Sequence, residues 1–163
     1  MVDQAIPKGF RKTIDDSFVI RLTGDKTVPA VFRSGKDCEI IANEDTLFLI
    51  AENIPGEYNI INPTDFIRGW MIGDFEPNIK RTTAYEVGVL TFARGHHISF
   101  HYHKHLKEVN FLVKGSLLLS ERLICAGDYF VFEKNAIACP KAVEDCIIVC
   151  IKTPSVPTDK ICI

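Results

Sequence analysis

Five histidines and a glutamate crowd into one short stretch of this chain. Residues 95–115 read GHHISFHYHKHLKEVNFLVKG and hold every histidine of the protein: His96, His97, His101, His103 and His105. Imidazole nitrogen and carboxylate oxygen are the donors that bind divalent iron, manganese, zinc or nickel, with affinity order and metal supply deciding among them. Alternation over 97–103 is that of a strand, with Ser99, His101 and His103 on one face and Ile98, Phe100 and Tyr102 on the other. Same-face neighbours on a strand lie roughly 6.6 Å apart, so two imidazoles can converge on one ion. Residues 104–107 read as a polar connection. Alternation resumes over 108–114, with Glu108, Asn110 and Leu112 sharing a face. A hairpin of the two runs would return Glu108 beside the histidines and complete a set of two histidines and one carboxylate.

This spacing resembles the first motif of the cupin superfamily, G-x5-H-x-H-x4-E-x6-G. Gly95, His101, His103, Glu108 and Gly115 fill its fixed positions. The resemblance implies an all-β fold, a cupin-type antiparallel β-barrel of the jelly-roll or double-stranded β-helix kind. It also implies a site inside that barrel, with His101, His103 and Glu108 as three of the family's usual four ligands. The fourth is a histidine carried by a second motif further along. Here Gly127-Asp128, the apolar run 129–132 and Glu133-Lys134-Asn135 stand in that motif's place, but no histidine follows His105. Ala138 falls at the vacant position with Cys139 beside it. Three alternatives are open: three protein ligands plus water, substitution by Cys139 or His97, or a pocket that has lost its metal.

A cupin metal site with open positions activates dioxygen or polarises a chelating substrate, so the resemblance implies an oxygenase, or an isomerase or lyase, acting on a small oxygen-rich molecule. With Glu108 a ligand, acid–base work would fall to His97 or Tyr102. A metal-independent reading stands beside this one. His101-Tyr102-His103-Lys104 resembles sugar-nucleotide ketoisomerases of cupin fold, in which the histidines serve as acid and base, although those usually carry glutamine where this chain has Glu108. The third reading is a non-catalytic barrel that binds a small molecule. His96 points away from the ligand pair and His105 falls in the connection, so neither is taken into the site.

The elements that must position these groups are short and turn-bounded. Apolar runs at 18–22, 28–32, 38–42 and 46–51 alternate with turn-forming stretches, which suggests strands. Only 15–20 and 64–70 invite a helical turn. Ile54-Pro55-Gly56-Glu57 and Asn62-Pro63 read as turns. Residues 1–66 are expected to form a β-rich extension packed on the barrel or on a partner subunit, 67–155 the barrel, and 156–163 a tail that Ile161-Cys162-Ile163 could pin down. The stretch 68–77, RGWMIGDFEP, reads as an irregular loop, either one that closes over the barrel mouth or one whose Trp70 and Phe75 plug the barrel end.

Composition narrows the classes. With 163 residues, 47% hydrophobic and 25% charged, the chain has enough apolar surface for a folded core of one ordinary domain. A net charge of −2 without a basic run gives no electrostatic case for nucleic acid or a membrane surface. The start Met1-Val2-Asp3-Gln4 has neither the basic nor the apolar part of a signal peptide. A cytoplasmic homodimer that binds a small molecule, a sugar derivative among the options, is the expectation. The six cysteines are expected as reduced thiols, Cys146 and Cys150 serving as small apolar fillers of a buried strand.

Overall fold

The computed structural model describes residues 2–9, 11–14, 17–24, 31–33, 36–51 and 66–163. Contacts divide the chain into two compact units, Met1–Glu57 and Tyr58–Ile163. Named strands pair antiparallel throughout both.

The first unit holds β1 (Val2–Ile6), β2 (Arg11–Ile14), β3 (Phe18–Thr23), β4 (Val31–Arg33), β5 (Cys38–Ile41) and β6 (Thr46–Ala51). Its main sheet runs β1-β6-β3-β4, with β2 and β5 as a separate pair. Val19 of β3 lies opposite Ile50 of β6, and both are fully buried in a core with Ile40, Ala42 and Phe48. That pairing overrides the helical turn expected at 15–20: alternating β-branched residues are worth more across a strand pair than along a helix. Asp15 and Asp16, and the turns expected at 54–57 and 62–63, lie outside the described residues.

The first element among the described residues of the second unit is a short 3₁₀ turn, Ile67–Gly69, within the helical turn expected over 64–70; Thr64 and Asp65 lie outside the described residues. Ten strands follow: β7 (Trp70–Ile72), β8 (Glu86–Phe92), β9 (His101–His103), β10 (Lys107–Lys114), β11 (Ser116–Leu119), β12 (Arg122–Cys125), β13 (Tyr129–Phe132), β14 (Pro140–Ala142), β15 (Cys146–Thr153) and β16 (Lys160–Cys162). They form a five-stranded sheet β13-β10-β15-β8-β7, a three-stranded sheet β12-β11-β14 and the pair β16-β9. Leu112, Phe130, Phe132 and Ile148 from the larger sheet meet Leu117, Ile124 and Ala142 from the smaller in one apolar core. The result is the antiparallel barrel that the cupin resemblance implied.

Three local features bear on the expectations. The stretch 68–77 is not an irregular loop throughout, because Trp70–Ile72 joins the large sheet as edge strand β7 beside β8. The last glycine of the motif has a steric reason: Gly115 adopts φ +84°, and a Cβ there would stand 2.3 Å from the carbonyl oxygen of Asp145. All six cysteines are unpaired, and Cys146 and Cys150 are buried in β15 as expected.

Candidate functional site

The inner face of the large sheet changes character along its length. Opposite residues of an antiparallel pair project to the same side. One cross-strand row is apolar, Leu112–Ile148–Leu90 on β10, β15 and β8. The next but one is ionic: Glu108 of β10 lies opposite Lys152 of β15, which lies opposite Glu86 of β8. One phase of the same alternating strands thus supplies both the core and a charged row at its end.

His101 and His103 reach this row from β9. The hairpin expected between their strand and that of Glu108 does not form. β9 pairs with the C-terminal β16, while β10 pairs with β13 and β15. The cause is the corner at 104–106. Leu106 is fully buried there, and the carboxylate of Asp159 accepts the backbone N–H groups of Lys104, His105 and Leu106 at 3.2, 2.8 and 3.0 Å. The corner turns the chain from one sheet into another and still brings Glu108 back to the histidines.

The resulting contacts are direct. His103 Nε2 lies 3.1 Å from Glu108 Oε2, and Asn110 Nδ2 donates to Glu108 Oε1 at 2.8 Å. Lys152 Nζ stands 3.7 Å from Glu108 Oε2 and 4.6 Å above the Trp70 ring. The two imidazoles meet edge to face with ring centres 5.4 Å apart. Each ring is anchored through Nδ1, His101 on the carbonyl oxygen of Ser99 at 2.7 Å and His103 on that of Asp159 at 3.1 Å. In a neutral ring this places the proton on Nδ1 and the lone pair on Nε2.

Burial and neighbours tune the ionisable groups. Burial pushes the His101 imidazole below the usual histidine range, which keeps it neutral near pH 7. Burial alone would raise Glu108, but the hydrogen bond to His103, the charge of Lys152 and the hydrogen bond from Asn110 outweigh it and bring the carboxyl to about 2. Glu86 goes the other way: its burial raises it, and neither Lys152 nor the Ser155 hydroxyl that donates to Oε1 at 3.2 Å compensates fully.

The histidines, Glu108, Asn110 and Lys152, but not Glu86, open on a cavity of about 680 Å³. His101, His103 and Glu108 line it together, and His97 contributes from its exposed position. Tyr102 and Cys139 do not line it; Tyr102 sits half-buried between the two histidines, and Cys139 follows the Ala138 that bridges to His101. His96 stacks on Phe92 with ring centres 5.2 Å apart and also lines the cavity. Sequence reasoning missed Lys152, Asn110, Glu86 and Asp159. For the first three a signal existed, a polar residue at an inward phase of a strand whose other inward residues are apolar; for Asp159 there was none.

The donor set suits a metal ion in part. Adjacent donors bound at about 2.1 Å and at right angles lie about 3 Å apart, which is the separation of His103 Nε2 and Glu108 Oε2. Imidazoles tied through Nδ1 to backbone carbonyls are oriented as metal ligands usually are. Among the described residues no three His, Cys, Asp or Glu side chains already surround a common point, so His101 would have to turn in to close the set.

No protein-family model and no curated protein sequence matches the chain. Solved structures do. YhhW from Escherichia coli is similar over 94% of this chain and 80% of its own, with a TM-score of 0.61 at 12% identity. An uncharacterized conserved protein with a double-stranded beta-helix domain, from Klebsiella pneumoniae subsp. pneumoniae, is 20% identical over 45% of this chain and 66% of its own, with a TM-score of 0.43. A sugar phosphate isomerase from a cupin superfamily, from Silicibacter pomeroyi, is 17% identical over 44% of this chain and 52% of its own, with a TM-score of 0.40. At these identities the likeness is one of fold.

Proposed function

We propose that this chain, whose second unit has the cupin fold, binds a small oxygen-rich molecule through a divalent transition metal held by His101, His103 and Glu108. The observation that carries the reading is the pairing of His103 Nε2 with Glu108 Oε2 at 3.1 Å while both rings are anchored through Nδ1. Iron, manganese, zinc and nickel all accept this donor set. When bound, the ion supplies a Lewis acid for the oxygen substituents of a ligand. The protein's own groups do the rest. Asn110 fixes the second oxygen of Glu108, burial keeps His101 unprotonated, and Trp70, Phe130 and Phe132 give the cavity apolar walls that exclude water. His97, at the cavity, is the acid–base candidate this reading retains for oxygenase, isomerase or lyase chemistry. A cytoplasmic homodimer belongs to the same proposal, and no helix among the described residues is long and apolar enough to cross a membrane.

A second reading draws on Lys152. Its ammonium competes with an ion for Glu108, and with both nitrogens of His103 facing acceptors the pair also works as imidazolium and carboxylate without metal. The site would then be an acid–base pair acting on a sugar nucleotide, or a pocket that only binds. Metal analysis of the purified protein separates these. Stoichiometric transition metal that is lost in His101→Ala and His103→Ala supports the first reading. Metal-free protein that binds a sugar nucleotide supports the second and sinks the first.

A further inference from the structure

The cavity carries more positive charge than its one carboxylate balances. Its lining groups of fixed charge are Arg68, Lys152, Lys160 and Glu108, three cations against one anion. The chain as a whole has a net charge of −2, so this excess is local and not a general property of the surface.

Lys152 makes the case sharpest. Its side chain is only 12% exposed, yet the nearest carboxylate oxygen is 3.7 Å away, beyond hydrogen-bond distance. That carboxylate is already engaged by His103 and Asn110. The ammonium lies over Trp70 and makes no hydrogen bond among the described residues. Lys152 has that one long ion pair with Glu108, and Arg68 and Lys160 have none among the described residues. A poorly solvated ammonium with its donors unused is costly unless something accepts from it. The same cavity is also lined by apolar side chains: Trp70, Phe92, Phe130, Phe132 and Ile148.

We infer that the cavity takes an anionic small molecule, its carboxylate or phosphate group received by Lys152 with Lys160 and Arg68, and its body laid against the aromatic wall. The volume, about 680 Å³, is in the range of pockets for a compact organic ligand. The inference rests on the reading of this cavity as the ligand site but not on the metal, since an added divalent ion only increases the positive excess. Carboxylate and phosphate share the chemistry of an oxyanion that accepts several charge-assisted hydrogen bonds.

The test is calorimetric titration of the full chain with benzoate, phenylphosphate and the neutral isostere benzamide, once after dialysis against a chelator and once with added zinc. Binding of one or both anions, with benzamide at least about tenfold weaker, is the expected result in both states. Which anion binds tighter distinguishes carboxylate from phosphate. Lys152→Met and the solvent-facing Lys160→Met should each weaken the anion and leave benzamide unchanged, with folding checked by circular dichroism. Equal binding of benzoate and benzamide, no anion binding in either state, or anion affinity untouched in both variants overturns the inference. Zinc binding with no preference for anions would leave the metal reading intact and remove only this one.

Discussion

Asp159 holds His103 in two ways: its carbonyl oxygen accepts the Nδ1 proton, and its carboxylate ties down the three backbone N–H groups that follow the histidine strand. One residue of the C-terminal segment therefore sets both the ring orientation and the corner that returns Glu108 to it.

Asp159→Ala should therefore cost stability on the order of 3 kcal/mol, because three amide donors, that of Leu106 buried and those of Lys104 and His105 partly so, lose a charged acceptor. Denaturant unfolding measures this. The same variant should also weaken metal or ligand binding even where it stays folded. A full-strength site in the variant would mean that the corner does not need its cap.

Acid should destabilise the protein through Glu108. Its carboxyl is lowered from 4.5 to about 2 in the folded state, so its stabilising contribution is present above pH 4.5 and is lost as the pH falls toward 2. Asp159 adds to the same trend: burial would raise it, but its three backbone donors prevail and hold it below 3.8. Glu108→Gln should be less stable than the parent at pH 6 and closer to it at pH 2.5. A constant gap in denaturation midpoint across that range contradicts the assignment.

Glu86 should behave in the opposite sense. Its folded value is raised above 4.5 by burial, so its favourable contribution is present below that pH and is lost as the pH rises through the folded value. Glu86→Gln, which keeps an acceptor for Ser155, should gain stability relative to the parent at pH 7 and gain none at pH 4. Thermal melts at the two pH values measure the difference.

Gly88→Ala tests the wall beneath Lys152. A Cβ at this position would lie 2.8 Å from Cε3 of Trp70, so the indole must move. Overpacking of this kind costs about 1–3 kcal/mol. Trp70 is the chain's one tryptophan, so its fluorescence should report the displacement without interference. An unchanged emission spectrum would show that the ring does not rest on this strand.

Much of the site was legible in the sequence because a motif fixes spacing and alternation fixes faces. His101, His103 and Glu108 do line one cavity, and Leu112 continues the Glu108 face into the core. What alternation does not carry is the identity of a strand's partner. Residues 97–103 and 108–114 have the pattern of a hairpin, yet each strand finds its neighbours elsewhere, since register depends on contacts distant in sequence. Lys152 and Glu86 were readable in principle as charges at the inward phase of β15 and β8. Asp159 was not, because it sits in a short polar segment whose partners lie more than fifty positions earlier.

The border of β9 by β16 has a consequence for how the protein is made. Lys160, Ile161 and Cys162 pair with His103, Tyr102 and His101, so the two imidazoles emerge from the ribosome well before the strand that must flank them. Until that late segment arrives, His103 lacks the carbonyl that orients it and the corner lacks its cap. A nascent chain arrested before Asp159 should consequently hold the motif without a working pocket, so that ligand competence appears only once this later segment has been made.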